Sequence, residues 1–405
     1  MTSKEQHRSH SDRLGQRDLM SGMCLRPATF ALALAAVVHG TVASPSAQAQ
    51  TFKVLYTFTG NPDGEFPYAG LIRDSSGRLY GTTEAGGPQN GGTVFGVNRA
   101  GEEVTLYNFS GGADGASPSD SLVADPAGNF YGTTACGGAS NSGTVFKVTK
   151  AGKETVLYSF EGGMDGLHPD GGLAIDPAGN LYGTTVYGGA SNYGTVFEVD
   201  RSGTETVLHS FTGGTDGAYP YAGLILDSAG NLFGTTSGGG GFNAGTVFEV
   251  DRTGKEVVLY TFSGGADGDG PEAGLARDAA GNLYGTTTDG GNSSCSCGTV
   301  FELDTTGKET VLYSFTGGKD GGYPFAAVLS GSGGNLYGTT GRGGDFNNGT
   351  VFQLDPTGKE TVLYSFTGGT DGSSPRGLVQ DSAANLYGTT AGGGANYGVV
   401  FELKP

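Results

Sequence analysis

The tetrapeptide Tyr/Phe-Gly-Thr-Thr recurs seven times, beginning at Tyr80, Tyr131, Tyr182, Phe233, Tyr284, Tyr337 and Tyr387. The steps between successive copies are 51, 51, 51, 51, 53 and 50 residues. A period near 50, built from short apolar runs and glycine-rich turns, is that of a β-propeller blade. Seven copies predict seven blades. Glycine supplies 79 of the 405 residues; without a period that richness would point to low complexity. Here the glycines fall at fixed places in each repeat and mark turns and close packing.

Residues 169–211 show one repeat. The apolar run Leu173 to Asp176 reads as strand A and Asn180 to Thr185 as strand B. After a loop, Gly194 to Asp200 alternates apolar and polar residues, as a half-buried strand does, and gives strand C. Thr204 to Phe211 gives strand D. Asp-x-x-Gly joins A to B (Asp176 to Gly179) and C to D (Asp200 to Gly203). The Asp side chain organises such a turn and Gly accepts its positive φ, so both connections are tight antiparallel hairpins. Blade 6 departs with Gly331 in place of the A–B Asp, and blade 7 with Ala384 in place of the Gly. The longer D-to-A passage reads Gly-Gly-x-Asp-Gly-x-x-Pro, as from Gly213 to Pro220. Its Pro opens strand A, where a missing N–H is tolerated.

The chain opens its repeats with a lone D strand, Phe52 to Phe58, and ends with a C strand, Gly398 to Leu403, that lacks its D. Pairing the two closes the ring and removes exposed sheet edges. The expected fold is all-β: a seven-bladed β-propeller of four antiparallel strands per blade. The N-terminal strand completes the last blade, so blade 7 is 376–403 plus 52–58 within a single domain spanning 50–405. Residues 1–49 read as a secretory signal. Lys4, Arg8, Arg13, Arg17 and Arg26 precede an apolar run from Ala28 to Val38, and Ala47-Gln48-Ala49 offers a small-x-small cleavage site. Met20 and Met23 are alternative starts. The apolar run is too short to span a bilayer, and Pro405 follows no hydrophobic tail. The expectation is a secreted or periplasmic monomer, cleaved near Ala49, without membrane insertion. The net charge of −18 argues against nucleic acid, which requires a basic footprint.

The strings GNLYGTT, GTVFELD, GKETVLYSF and FTGGTDG, repeated over residues 52–403, resemble the GloVer tandem-repeat family of secreted bacterial proteins. The resemblance implies an exported propeller-like repeat protein and implies no particular activity.

The D–A and B–C loops share one face of a propeller, and loops on a rigid scaffold are where function concentrates. The loop aspartates Asp63, Asp114, Asp165, Asp216, Asp267, Asp320 and Asp371 have two readings: a set of carboxylates for Ca²⁺, or seven organisers of their own Asp-Gly turns. No other cofactor is expected. Residues flanking the loop prolines differ between blades and are the candidate binding set: Phe66, Tyr68, His168, Asp170, Tyr219, Tyr221, Glu272, Tyr323, Phe325 and Arg376. The B–C loops add Tyr187, Tyr193, Phe242, Arg342, Asp345, Phe346 and Tyr397. Aromatic faces with scattered carboxylates suit sugar rings; the structural alternative is that the rings shield the channel. His168, beside Asp165 and Asp170, is the one candidate acid–base group, against the reading of a solvated histidine. His209 takes the place of a strand D tyrosine and reads as packed. Cys295 and Cys297 read as a local loop bridge or surface thiols. The Tyr-Gly-Thr-Thr residues and the strand C phenylalanines, Phe95 to Phe401, are assigned to structure, the Gly letting neighbouring sheets approach. Three functions remain open: an exported non-catalytic protein binding a glycan or a protein through this face; a lactonase-, lyase- or hydrolase-like propeller with its site at the channel mouth; and a structural matrix protein.

Overall fold

Each repeat folds into one four-stranded antiparallel sheet, and seven such sheets form the ring. The structure is a computed structural model and describes residues 50–291 and 294–405; the expected signal peptide, 1–49, lies outside the described residues. Blade 3 is representative. Its strands are A (Ala174–Ile175), B (Leu181–Thr185), C (Thr195–Val199) and D (Glu205–Ser210). B and C pair from Leu181↔Val199 to Thr185↔Thr195, and a bulge between Val196 and Phe197 bends C against D. The A strands of neighbouring blades touch, so A lines the axis and D forms the rim. The Asp-x-x-Gly turns have the expected geometry: Gly179 N–H donates to Asp176 C=O at 2.9 Å, and Gly179 has φ +88°. Blade 6, lacking the Asp, makes a short 3₁₀ turn over Ser332–Gly334. Ala384 is held at φ +65° in blade 7.

Ring closure is as the strand inventory requires. Thr51–Thr57 pairs antiparallel with Val399–Lys404, from Thr51↔Lys404 to Thr57↔Val399. Phe66 N–H then donates to Tyr397 C=O at 3.0 Å, joining blade 1 to blade 7. The blade 7 A strand runs over Ser373–Gln380, starting before residue 376. Blade 7 has one residue fewer between its Pro375 and Leu378 than blade 1 has between Pro67 and Leu71, so the strand continues through a bulge.

Two repeated contacts weld neighbouring blades, and a third ties strands within each blade. The Phe that ends strand D packs edge-to-face on the strand C Phe of the next blade, as in Phe160–Phe197 at 5.1 Å and, from the borrowed N-terminal strand of blade 7 onto blade 1, Phe58–Phe95 at 5.0 Å. Such pairs contribute about 0.5–1.5 kcal/mol beyond burial. The first Thr of Tyr-Gly-Thr-Thr donates to a carbonyl at the start of the next A strand: Thr184 to Ala222 at 2.9 Å, and Thr389 to Ala69 at 2.8 Å. The second Thr binds strand C, Thr185 Oγ1 to Thr195 Oγ1 at 2.8 Å. The motif glycine has a different reason from the one expected. A Cβ on Gly183 would lie 2.6 Å from Phe197 Cζ and 2.9 Å from Leu173 Cδ2. The space is filled by the strand C ring of its own blade, not by a neighbouring sheet.

Candidate functional site

The loop prolines fix where each A strand begins, and the residue after each Pro enters the axial channel. Tyr68, Ser119, Asp170, Tyr221, Glu272, Phe325 and Arg376 therefore meet at one mouth, where they line a cavity of about 480 Å³. Of the ten candidate binding residues, the cavity brings together six: Tyr68, Asp170, Tyr221, Glu272, Phe325 and Arg376. The Arg376 guanidinium lies 4.6 Å from the Tyr68 ring centroid and 5.3 Å from that of Phe325. Across the mouth, the proton affinity of the Tyr221 hydroxyl is raised, first by burial, then by the neighbouring Tyr187 and the charges of Asp170 and Glu272.

The four residues before the prolines stand one layer out. Phe66, His168, Tyr219 and Tyr323 all have left-handed backbones, with φ of +59°, +55°, +58° and +57°. His168 meets Tyr187 edge-on at 6.0 Å, Tyr187 meets Tyr219 at 5.6 Å, and Tyr193 meets Tyr219 at 5.5 Å. These rings form a ridge beside the mouth on blades 3 and 4. Arg342 lies over Tyr323. The remaining loop candidates scatter: Tyr397 packs against Gly60, Asp345 pairs with Lys319 at 3.2 Å, and Phe242 and Phe346 are exposed. Cys295 and Cys297 are joined as a local disulfide.

Two acids at the mouth escaped the sequence reading. Asp120 occupies the second position after Pro118, where other blades carry Ala69, Gly171, Ala222, Ala273 and Ala326. It accepts the Ser121 and Gly172 amides, both at 2.6 Å, tying blade 2 to blade 3. Burial nevertheless raises its carboxyl above the usual range against these donors. Glu84 follows the first Tyr-Gly-Thr-Thr and also faces the cavity. Aligning the seven repeats exposes both, because each is the charged residue at a position that is small or uncharged in the other blades.

The seven loop aspartates do not meet. Each bonds within its own loop to the outermost strand. Asp63 accepts Tyr56 Oη at 2.7 Å and Thr59 Oγ1 at 2.6 Å; Asp371 accepts Tyr364 Oη at 3.0 Å and the Thr367 amide at 2.8 Å. Asp114, Asp165, Asp267 and Asp320 repeat the tyrosine contact at 2.9–3.1 Å. Asp216 meets His209 instead, at 3.5 Å, and burial lowers the imidazole's proton affinity despite that partner. Among the described residues, no group of three or more His, Cys, Asp or Glu side chains is placed to hold a metal ion.

Fold and site together define a seven-bladed propeller with a polar, aromatic-lined channel mouth. The chain belongs to the Gloeobacter/Verrucomicrobia repeat family, whose model matches residues 33–228 and again 214–401. Among solved structures it resembles the extracellular domain of a protein described as a hybrid two-component system from B. thetaiotaomicron. The match has 13% identity and a TM-score of 0.57, covering 88% of this chain and 41% of that one. A second extracellular domain from the same organism matches at 11% identity and TM-score 0.57, over 88% of this chain and 40% of that one. PorZ, a surface component of the type-IX secretion system of Porphyromonas gingivalis, matches at 16% identity and TM-score 0.54, over 85% of this chain and 47% of PorZ. The chain thus spans less than half the length of each. These likenesses concern the fold. No curated protein matches the chain.

Proposed function

We propose that this is an exported, non-catalytic binding protein that takes a glycan into the channel mouth. One observation carries the reading: the 480 Å³ cavity joins aromatic faces (Tyr68, Tyr221, Phe325) to carboxylates (Asp170, Glu272) and a guanidinium (Arg376) on a rigid ring. Its size is that of a small-ligand pocket, and stacking faces beside acceptors are what a sugar ring uses. The Ala28–Val38 run and the Ala47-Gln48-Ala49 site support export. No helix among the described residues is long and apolar enough to cross a membrane. Fold-level analogy to extracellular propeller domains agrees with this placement, as analogy only. The loop aspartates act as turn organisers in this reading, since their oxygens serve the turn amides and strand D hydroxyls.

The test is glycan-array binding with Tyr68→Ala plus Tyr221→Ala. Loss of binding with an unchanged melt is expected; full retention would reject the mouth as the site. A second reading, a hydrolase- or lyase-like propeller, draws on Asp120, a carboxyl at the mouth whose proton affinity burial raises above the usual range. It requires turnover that disappears in Asp120→Asn while glycan binding persists.

A further inference from the structure

The charge at the mouth constrains the ligand beyond its shape, in a step that rests on the binding reading above. Glu84, Asp170 and Glu272, with Asp120 deeper, face the cavity against one cation, Arg376. The acids outnumber the cation and crowd one side. Arg376 comes from blade 7 and lies over the rings of Tyr68 of blade 1 and Phe325 of blade 6, so that side is an aromatic–guanidinium cluster, with Glu84 of blade 1 as its acid. Asp120, Asp170 and Glu272 come from blades 2, 3 and 5, with Tyr221 of blade 4 between the last two. That side is an arc of acidic side chains. The net charge of −18 adds a field of the same sign, which a cleft with low-dielectric walls focuses. An anionic sugar acid entering this mouth meets repulsion. A neutral sugar donates its hydroxyls to the carboxylates but brings no opposing charge. An ammonium donates to them as well and adds the attraction of an ion pair in a site partly screened from water. The 480 Å³ cavity is far larger than a bare ammonium needs and has ring faces that a simple amine would leave uncovered.

We propose that the ligand is a saccharide bearing free amino groups, a de-N-acetylated hexosamine oligomer. Its ring faces lie on Tyr68, Phe325 and the Arg376 plane, and its ammonium groups meet Asp170 and Glu272.

The experiment is calorimetric titration of the mature protein with a fully de-N-acetylated glucosamine tetramer and with its N-acetylated counterpart. It is run at mildly acidic pH, where the amines are charged, and at low and high salt. The expected result is at least about tenfold tighter binding of the amino form, shrinking as salt rises. Asp170→Asn plus Glu272→Gln is expected to erase that preference, weakening the amino form far more than the N-acetylated one. The wild-type comparison stands even if this variant fails to fold. Equal binding of the two tetramers, or preference for the acetylated one, overturns the amino-sugar inference and leaves the glycan reading standing. Binding of neither overturns the amino-sugar inference, and the glycan array then tells its failure from that of the glycan reading.

Discussion

At the scale of single residues, position within the repeat decides what a side chain does. The residue before each loop proline has a positive φ in every blade. Blade 5 uses Gly270 there, the residue that adopts this backbone without steric cost. Blades 1, 3, 4 and 6 instead hold Phe66, His168, Tyr219 and Tyr323, each carrying strain on the order of 1 kcal/mol. At His168 and Tyr219 the rings so held build the ridge beside the mouth. Tyr219→Gly is therefore expected to leave the melting temperature unchanged or higher while weakening glycan binding; a lower melt with intact binding would assign Tyr219 to packing alone. Six of the ten candidate binding residues were readable as cavity lining because variation between otherwise uniform blades marks what folding leaves unconstrained. Glu84 and Asp120 carry the same signal, but they stand outside the proline-flanking positions. Whether they face the axis or the solvent depends on how the A strand is seated, which the string of residues does not display.

Between elements, the blade boundary carries two opposing devices. The Thr184 bond to Ala222 C=O is buried and crosses from one blade to the next. Thr184→Val leaves that carbonyl without its donor, so a loss of roughly 1–3 kcal/mol is expected, or about 2–4 °C of melting temperature per kcal/mol. At the rim, a Glu opens strand D beside the loop Asp of the preceding blade. Burial first, and then the charge of Asp114, Asp165, Asp216, Asp267 or Asp320, pushes Glu154, Glu205, Glu256, Glu309 and Glu360 up to about 7. The unfolded value lies near 4.3, so between the two the folded ring holds the extra protons. The stabilisation is complete below the unfolded value and is lost as pH rises through about 7. His209, lowered by burial, works the other way as a single group. Replacing the five glutamates with glutamine is expected to raise the melting temperature at about pH 8 and to change it little at about pH 5. An equal effect at both would show that these carboxyls do not titrate in this range. The blade 6–7 boundary is a built-in exception: Phe52 occupies the Glu position and stacks on Tyr364 at 4.0 Å.

For the whole molecule, the ring is closed by one strand borrowed from the far end of the chain. Deleting residues 52–58 removes the partner of Val399–Lys404 and exposes the edge of blade 7, together with Phe401, which packs on Phe52. A sharply lower melting temperature is expected by calorimetry; an unchanged melt would contradict closure by this strand. Blade number, strand order, hairpin positions and the latch were all legible in the residues, because each follows from local rules repeated seven times. Period sets the blade, alternation sets the strand, and Asp-x-x-Gly sets the turn. The orphan D and C strands at the two ends leave one economical pairing. What only the tertiary structure decided is which side chains share space. It separated the residues after the prolines, which converge on one cavity, from those before them, which stand outside it, His168 and Tyr219 in a ridge. It set the seven loop aspartates at the outer rim, each in its own turn. It brought Asp120 and Glu84 to the axis and paired each rim Glu with the Asp of the blade before it. Those outcomes depend on the tilt and spacing of whole sheets about an axis, where residues some 50 positions apart become neighbours. No local rule carries that distance.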